Sequence, residues 1–238
     1  MADFQKRDPD EVRDMFSGVA KRYDAINCAM CMGLDRLWRR ALSRAALEGL
    51  GSEPRIADFA CGSGDVCIEL ARAHPSAKIT GVDFCPQMLE IAAKKIAARG
   101  LGNRIELVGA DCSSTPFEAE SFDALTISFG FRNFHDRQKS LSEINRILKP
   151  GGRLCILEVS RANRFFEWAQ HIFMGSLVPL IAQIFGGRRQ DYQYLAKTTF
   201  AYPRPEEIRR MLSSAGFSKT RVRKFAFGLV ALTISEKV

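Results

Sequence analysis

Arg55-Ile-Ala-Asp-Phe-Ala60 followed by Cys61-Gly-Ser-Gly-Asp65 is the stretch that decides the fold. The first half is a short apolar run, read as a strand buried on both faces. The second half is a turn whose Gly62 and Gly64 give the backbone unusual freedom. Val66 to Ala73 continues with helical spacing. Strand, glycine turn and helix in that order open a βαβ unit. Working downstream, Lys78 to Asp83 is a second strand, with a helix from about Pro86 to Ala98. Ile105 to Asp111 is a third strand, closed by a loop with Pro116, and Phe122 to Ser128 is a fourth. A helix from Arg137 to Leu148 stops at Lys149-Pro-Gly-Gly152, and Arg153 to Glu158 is a fifth strand. This alternation predicts an α/β fold with a doubly wound, mostly parallel sheet.

Upstream, residues 11–50 read as an amphipathic helical cap, with Val12, Met15, Phe16, Val19 and Tyr23 spaced three or four apart. Beyond the 55–160 core, the apolar segment Phe165 to Phe185 is broken by Pro179 and followed by Gly186-Gly187-Arg188-Arg189. It forms most of a helical insertion over 161–216, which ends with a helix from Pro205 to Ala215. Residues 217–238 hold two β-like runs, Thr220 to Phe225 and Leu229 to Ser235, read as a closing hairpin. The whole of 1–238 reads as one domain.

A chain of 238 residues with 46% hydrophobic and 26% charged side chains buries a real core, which excludes global disorder. No apolar run approaches the ~20 residues of a membrane-spanning helix, and the polar start lacks a secretory apolar segment. Seven cysteines, an odd number, fit reduced thiols, so a cytoplasmic location is expected. Charge is distributed unevenly. Residues 1–160 carry 22 basic and 22 acidic side chains, whereas 161–238 carry 13 and 5, so the whole net +8 lies in the last third. That asymmetry points to an anionic partner at this end: nucleic acid, membrane surface or anionic substrate.

Doubly wound sheets bind ligands beyond the carboxyl ends of their strands. Gly62 and Gly64 sit there, and Asp83 closes the next strand 21 residues past Gly62, placed to accept hydrogen bonds from a ribose. A dinucleotide fingerprint wants a third glycine at position 67, where this chain has Cys67, and no Gly-Lys-Ser/Thr phosphate loop is present. With no pyrophosphate to cradle, S-adenosylmethionine is favoured over NAD or FAD. Asp111 is a candidate acceptor for the adenine amine, with the Cys112 N–H beside it. Cys28-Ala-Met-Cys31 stands alone, and a metal site needs three or four ligands, so no metal is expected.

Asp58 to Asp65, Asp83, Asp111 to Phe117 and Leu148-Lys-Pro-Gly-Gly152 resemble the successive motifs of class I S-adenosylmethionine-dependent methyltransferases. Phe16 to Asp24 with Asn27, Gly33 to Trp38, Ser128-Phe-Gly-Phe-Arg-Asn133 and Glu158-Val-Ser160 are similar to the ubiquinone/menaquinone biosynthesis C-methyltransferase family. So are Val178-Pro, Asp191 to Leu195 and Gly228 to Ala231. The likeness spans roughly residues 11 to 235, and the Phe-Gly-x-Arg-Asn stretch is its most specific piece. It implies a seven-stranded, Rossmann-like sheet. It also implies a cofactor site of Asp58, Gly62, Ser63, Gly64, Asp83, Asp111, Cys112 and Ser128, with Tyr23, Arg132 and Asn133 as substrate and catalytic positions. Several positions depart from the family's usual pattern. Cys61-Gly-Ser-Gly64 replaces Gly-Gly-Thr-Gly and keeps the hydroxyl at Ser63. Asp111 stands where Asn is common, and Asp35 and Thr233 stand where His is frequent.

The reaction implied is methylation of a ring carbon on a polyprenylated quinol precursor, demethylmenaquinol to menaquinol and/or the matching step toward ubiquinone. The alternative is a methyltransferase of the same fold acting on another small molecule or RNA. A ring carbon becomes nucleophilic when a neighbouring hydroxyl ionises, and it must sit ~3–3.5 Å from the reacting methyl. Arg132, a permanent cation, suits the developing oxyanion but not the role of base. Proton removal falls to ordered water, His135 or Asp136, while Asn133 and Tyr23 orient ring oxygens. The basic last third lacks a recognisable RNA-binding motif, so no nucleic acid is expected. Transient contact with an anionic membrane surface, at its inner face, is expected instead, with the apolar Phe165 to Phe185 segment either core packing or the mouth for a prenyl tail.

Overall fold

The computed structural model describes residues 8–19, 28, 31–160, 167–172, 175 and 197–238. Its strands are β1 (Arg55–Phe59), β2 (Lys78–Asp83), β3 (Ile105–Gly109), β4 (Phe122–Ser128), β5 (Leu148–Val159), β6 (Phe217–Phe225) and β7 (Val230–Lys237). Its helices are α1 (Pro9–Val19), α2 (Asp35–Leu47), α3 (Asp65–Ala73), α4 (Pro86–Ala97), α5 (Arg137–Ile147), α6 (Glu167–Ile172) and α7 (Pro205–Ser214). The strands make one sheet in the order β3-β2-β1-β4-β5-β7-β6. The first five are parallel, and β7 runs antiparallel between β5 and β6. The expected doubly wound sheet with a closing hairpin is therefore present.

Alternation along each strand fills two cores. Ile56, Ala124, Cys155 and Leu157 join α2, α3 and α4 on one face. Ala57, Phe59, Leu125, Ile127, Leu154 and Ile156 meet α5 and α7 on the other. Phe59, Phe122 and Phe131 are wholly buried, each contributing roughly 1.5–3 kcal/mol. The last turn of α2 is tied down by Arg153, whose Nη1 donates to the carbonyls of Ala45 (2.7 Å) and Glu48 (2.6 Å). Asp136 caps α5 by accepting from the Lys139 N–H at 2.9 Å.

Several strand boundaries differ from the sequence reading, and β6 and β7 extend to Phe217 and Lys237. Strand β5 starts at Leu148 because that residue pairs with Phe122 across a register shift, so Lys149-Pro-Gly-Gly152 lies inside a bulged strand. Strand β3 stops at Gly109, and Asp111 belongs to the turn beyond it, bridged to Ser114. The amphipathic 11–50 region contains all of α2 and all but the first two residues of α1. Tyr23 and Asn27 lie outside the described residues, as do Val178-Pro, Gly186 to Arg189, Asp191 to Leu195 and most of the Phe165 to Phe185 segment.

Candidate functional site

Strand order reverses between β1 and β4, and a cavity of about 390 Å³ opens there at the carboxyl ends of β1 to β4. The turn after β1 supplies Ala60 and Gly62, and the end of β2 supplies Asp83 and Phe84. The turn after β3 adds Asp111, Cys112 and Ser113, and β4 leads into Ser128, Phe129 and Gly130. Asn133, His135 and Asp136 continue the wall into α5, and Val12 of α1 closes it from outside. A smaller space of about 50 Å³ adjoins the cavity. It shares Ala60, Gly62, Ser128 and Phe129 with it and adds Arg39, Asp58, Ser63 and Asp65.

The glycine turn is conformationally demanding. Gly62 has φ +54° and Gly64 φ +80°, in the left-handed region. A Cβ at Gly64 would also meet the Ala92 Cβ at 3.0 Å, so the turn is packed directly on α4. Asp83 fixes the turn from below. Its Oδ2 accepts from the Gly62 N–H at 2.8 Å and its Oδ1 from the Cys85 N–H at 2.9 Å. Burial raises the Asp83 carboxyl above the ordinary aspartate range, and those backbone N–H groups partly offset it.

Asp58 lies beneath the turn, fully buried. Its Oδ1 accepts from Thr126 Oγ1 at 2.6 Å and its Oδ2 from Cys67 Sγ at 3.4 Å. Desolvation pushes it up to about 7 against those two hydrogen bonds. Asp65 starts α3, where a negative charge faces the positive helix end, and it is clamped between Arg39 of α2 and Lys95 of α4. Lys95 also donates to Ser63 Oγ at 3.1 Å, and Arg39 reaches Asp35 at 2.7 Å. Burial and these two cations pull on Asp65 in opposite directions, and the cations prevail, so its carboxyl lies below the usual range. Sequence reading assigned no role to Arg39 or Lys95, because only the packing of α2 and α4 brings them to the turn.

The expected cofactor residues therefore divide among neighbouring places, with Gly62 and Ser128 on both cavities. Gly62, Asp83, Asp111, Cys112 and Ser128 line the large cavity, while Asp58 and Ser63 line the small one beside it, and Gly64 lies behind the turn against α4. Two features fit them to S-adenosylmethionine. A Cβ at Gly62 would meet nothing within 4 Å, so the turn backbone faces open space. Ser128 Oγ is buried yet has no hydrogen-bond partner among the described residues, leaving a polar atom for a ligand to satisfy.

The expected catalytic residues separate. Phe131–Asn133 is one turn of 3-10 helix, in which successive side chains point about a third of a turn apart. Asn133 faces the cavity, and Arg132 turns back to the end of β5. There, 6% exposed, its Nη1 pairs with Glu158 Oε1 and donates to the Phe129 carbonyl, each at 2.6 Å. The Arg132 N–H donates to Glu158 Oε2 at 3.0 Å. The cation expected at the ring oxygen thus has a carboxylate beside it and does not line the cavity. Among the described residues no group of three His, Cys, Asp or Glu side chains is placed to hold a metal. Cys28 and Cys31 are half-buried thiols, and burial, helped by Asp35, pushes Cys31 up to about 11.

A 3-2-1-4-5-7-6 sheet with a glycine turn after β1 and an acidic residue closing β2 is the fold of class I S-adenosylmethionine-dependent methyltransferases. A protein described as a putative S-adenosylmethionine-dependent methyltransferase from Methanococcus maripaludis shares this fold. Its TM-score is 0.65 at 21% identity, covering 100% of this chain and 97% of that one. The chain matches the ubiE/COQ5 methyltransferase family over residues 4–237, and it belongs to that family. It is 40% identical over 228 residues to the demethylmenaquinone methyltransferase of Deinococcus radiodurans, spanning 95% of this chain and 92% of that protein. It is 38% identical to the ubiquinone/menaquinone biosynthesis C-methyltransferase of Geobacter sulfurreducens, spanning 96% and 89%.

Proposed function

We propose that the protein methylates a ring carbon of a polyprenylated quinol precursor, converting demethylmenaquinol to menaquinol and/or serving the matching step toward ubiquinone. The supporting observation is one continuous cavity that runs from the carboxylates Asp83 and Asp111 to the wall holding Asn133, His135 and Asp136. It occurs in a chain whose relatives carry those names. When bound, S-adenosylmethionine supplies an electrophilic methyl group on a sulfonium. Asp83 accepts hydrogen bonds from the ribose, Asp111 and the Cys112 N–H meet the adenine, and Ser63, Asp58 and Ser128 hold the remainder.

On the acceptor side, Asn133 and Tyr23 orient ring oxygens. His135 and Asp136, on the same wall as Asn133, provide the proton acceptors that let a ring hydroxyl ionise. Arg132 acts from behind the wall. Paired with Glu158, it fixes the loop that presents Asn133 and contributes a screened positive field toward the oxyanion. The test is methyl transfer from labelled cofactor to demethylmenaquinol under reducing conditions. Absence of incorporation by protein that binds the cofactor calorimetrically refutes the assignment. Such an acceptor resides in a bilayer. Peripheral contact with an anionic membrane is therefore part of this reading, supported by the charge excess of residues 161–238. No helix among the described residues is long and apolar enough to cross a membrane.

A further inference from the structure

The carboxyl edge of the sheet carries exposed apolar side chains that the cavity does not use. In the β6–β7 connection Ala226 (φ +47°), Phe227 (φ +56°) and Gly228 (φ +94°) are successively left-handed. A bulky aromatic rarely takes that conformation, and here it leaves the Phe227 ring 69% exposed. Hydrogen bonds place α6 at the same end. The Ser160 N–H, after β5, donates to the Leu229 carbonyl at 2.8 Å, and Gln170 Nε2 of α6 donates to the Ser160 carbonyl at 2.9 Å. Trp168 and Ile172 are one helical turn apart on α6, so they share a face, and they are 67% and 54% exposed. Exposed cations Arg223 and Lys224 lie in the last three residues of β6, with the Arg223 guanidinium 5.0 Å from the centre of the Phe225 ring.

We infer that the β6–β7 connection and α6 form a docking surface for an anionic phospholipid bilayer. Aromatic and aliphatic side chains insert at the headgroup boundary while the cations meet the lipid charge. Charge complementarity selects this occupant: the surface belongs to the third of the chain that holds the entire net +8. The surface deepens the prenylated-quinol reading and explains how such an acceptor reaches a cavity at the same sheet edge. Vesicle binding needs no acceptor, so the two readings fail separately.

The test is co-sedimentation of the full chain with vesicles of phosphatidylglycerol and, separately, of phosphatidylcholine. Binding should be stronger to the anionic vesicles and weaken with salt. Arg223→Gln with Lys224→Gln should weaken it about fivefold for each cation removed. Phe227→Ser with Trp168→Ser should weaken it at least tenfold, leaving melting temperature and calorimetric cofactor affinity unchanged. Equal binding to both vesicle types overturns the inference. So does undiminished binding of the Phe227/Trp168 variant, or a self-association that this variant abolishes in the absence of lipid.

Discussion

Gly130→Ala tests how closely the two walls of the cofactor cavity are matched. Gly130 follows β4 and faces Ala60 of the turn after β1. A Cβ built at Gly130 would lie 2.5 Å from the Ala60 Cβ. Comfortable carbon contact needs about 3.5–4.0 Å, so the walls must separate by roughly 1 Å. Neither carbon ends a flexible side chain, and Ala60 is itself held at φ +52°, so the strain passes to both backbones. Overpacking of this kind costs about 1–3 kcal/mol. In a chain of this size that lowers the melting temperature by about 2–4 °C for each kcal/mol. The functional cost should be larger, because a misplacement of about 1 Å in a catalytic constellation is worth roughly a hundredfold in rate. Gly151→Ala is the control. Gly151 has φ +72° with nothing within 4 Å of its would-be Cβ, and it lies in the β5 bulge away from the cavity. It should lose about 1–2 kcal/mol from backbone conformation alone and leave kcat and cofactor affinity intact. Calorimetry and single-turnover methyl transfer on both variants decide the matter. If Gly130→Ala impairs turnover no more than Gly151→Ala, the claim that these walls are packed to tolerance is wrong.

Asp83→Asn keeps the shape but turns an N–H toward one of the two backbone donors that Asp83 now satisfies, at a cost of about 1–3 kcal/mol. Cofactor affinity should fall roughly tenfold to a hundredfold, and an unchanged dissociation constant contradicts this. Lys95→Met removes the link between Ser63 and Asp65; it should raise the cofactor dissociation constant severalfold without moving the KM for the acceptor, and Lys95→Arg should recover most of the loss. Equal shifts in both constants would sink that reading. Glu158→Gln leaves Arg132 buried without its counter-charge, which typically costs about 3–5 kcal/mol, so denaturant midpoints should fall sharply. Asp58 has a folded-state value raised to about 7 from about 3.9, so the native state binds the extra proton between them and its stability falls as pH rises through that window. Asp58→Asn should gain on the parent from about pH 4 to pH 7 in thermal melts and level off above that; a constant difference refutes the assignment.

The cofactor half of the site was legible because it depends on local rules. A buried strand, a turn needing left-handed residues and a helix leave a linear trace, and Asp83 is found by its distance from Gly62. The acceptor half depends on directions that sequence does not carry. Arg132 and Asn133 are adjacent, and only the tight 3-10 turn sends one to Glu158 and the other to the cavity. Lys95 reaches Ser63 from 32 residues away because α4 packs on the glycine turn, a tertiary fact with no periodic signature. The shorter β3 and longer β5 have the same origin: ladder pairing, as between Leu148 and Phe122, sets strand ends more than propensity does.

Charge shows the same division between what composition reveals and what packing decides. The first 160 residues balance their charges in number, yet the large cavity is lined by Asp83, Asp111 and Asp136 against Lys139 alone among the described residues. Their compensating cations lie elsewhere: Arg39 and Lys95 are committed to Asp65, and Arg132 to Glu158. A neutral segment thus builds an acidic cavity suited to a cationic sulfonium ligand, while the basic last third places Arg221, Arg223 and Lys224 on the exposed β6 edge strand. The two fields have opposite signs and occupy different parts of one sheet. An anionic surface can therefore attract the protein without competing for the cofactor site, and salt should weaken vesicle binding while leaving cofactor affinity nearly unchanged.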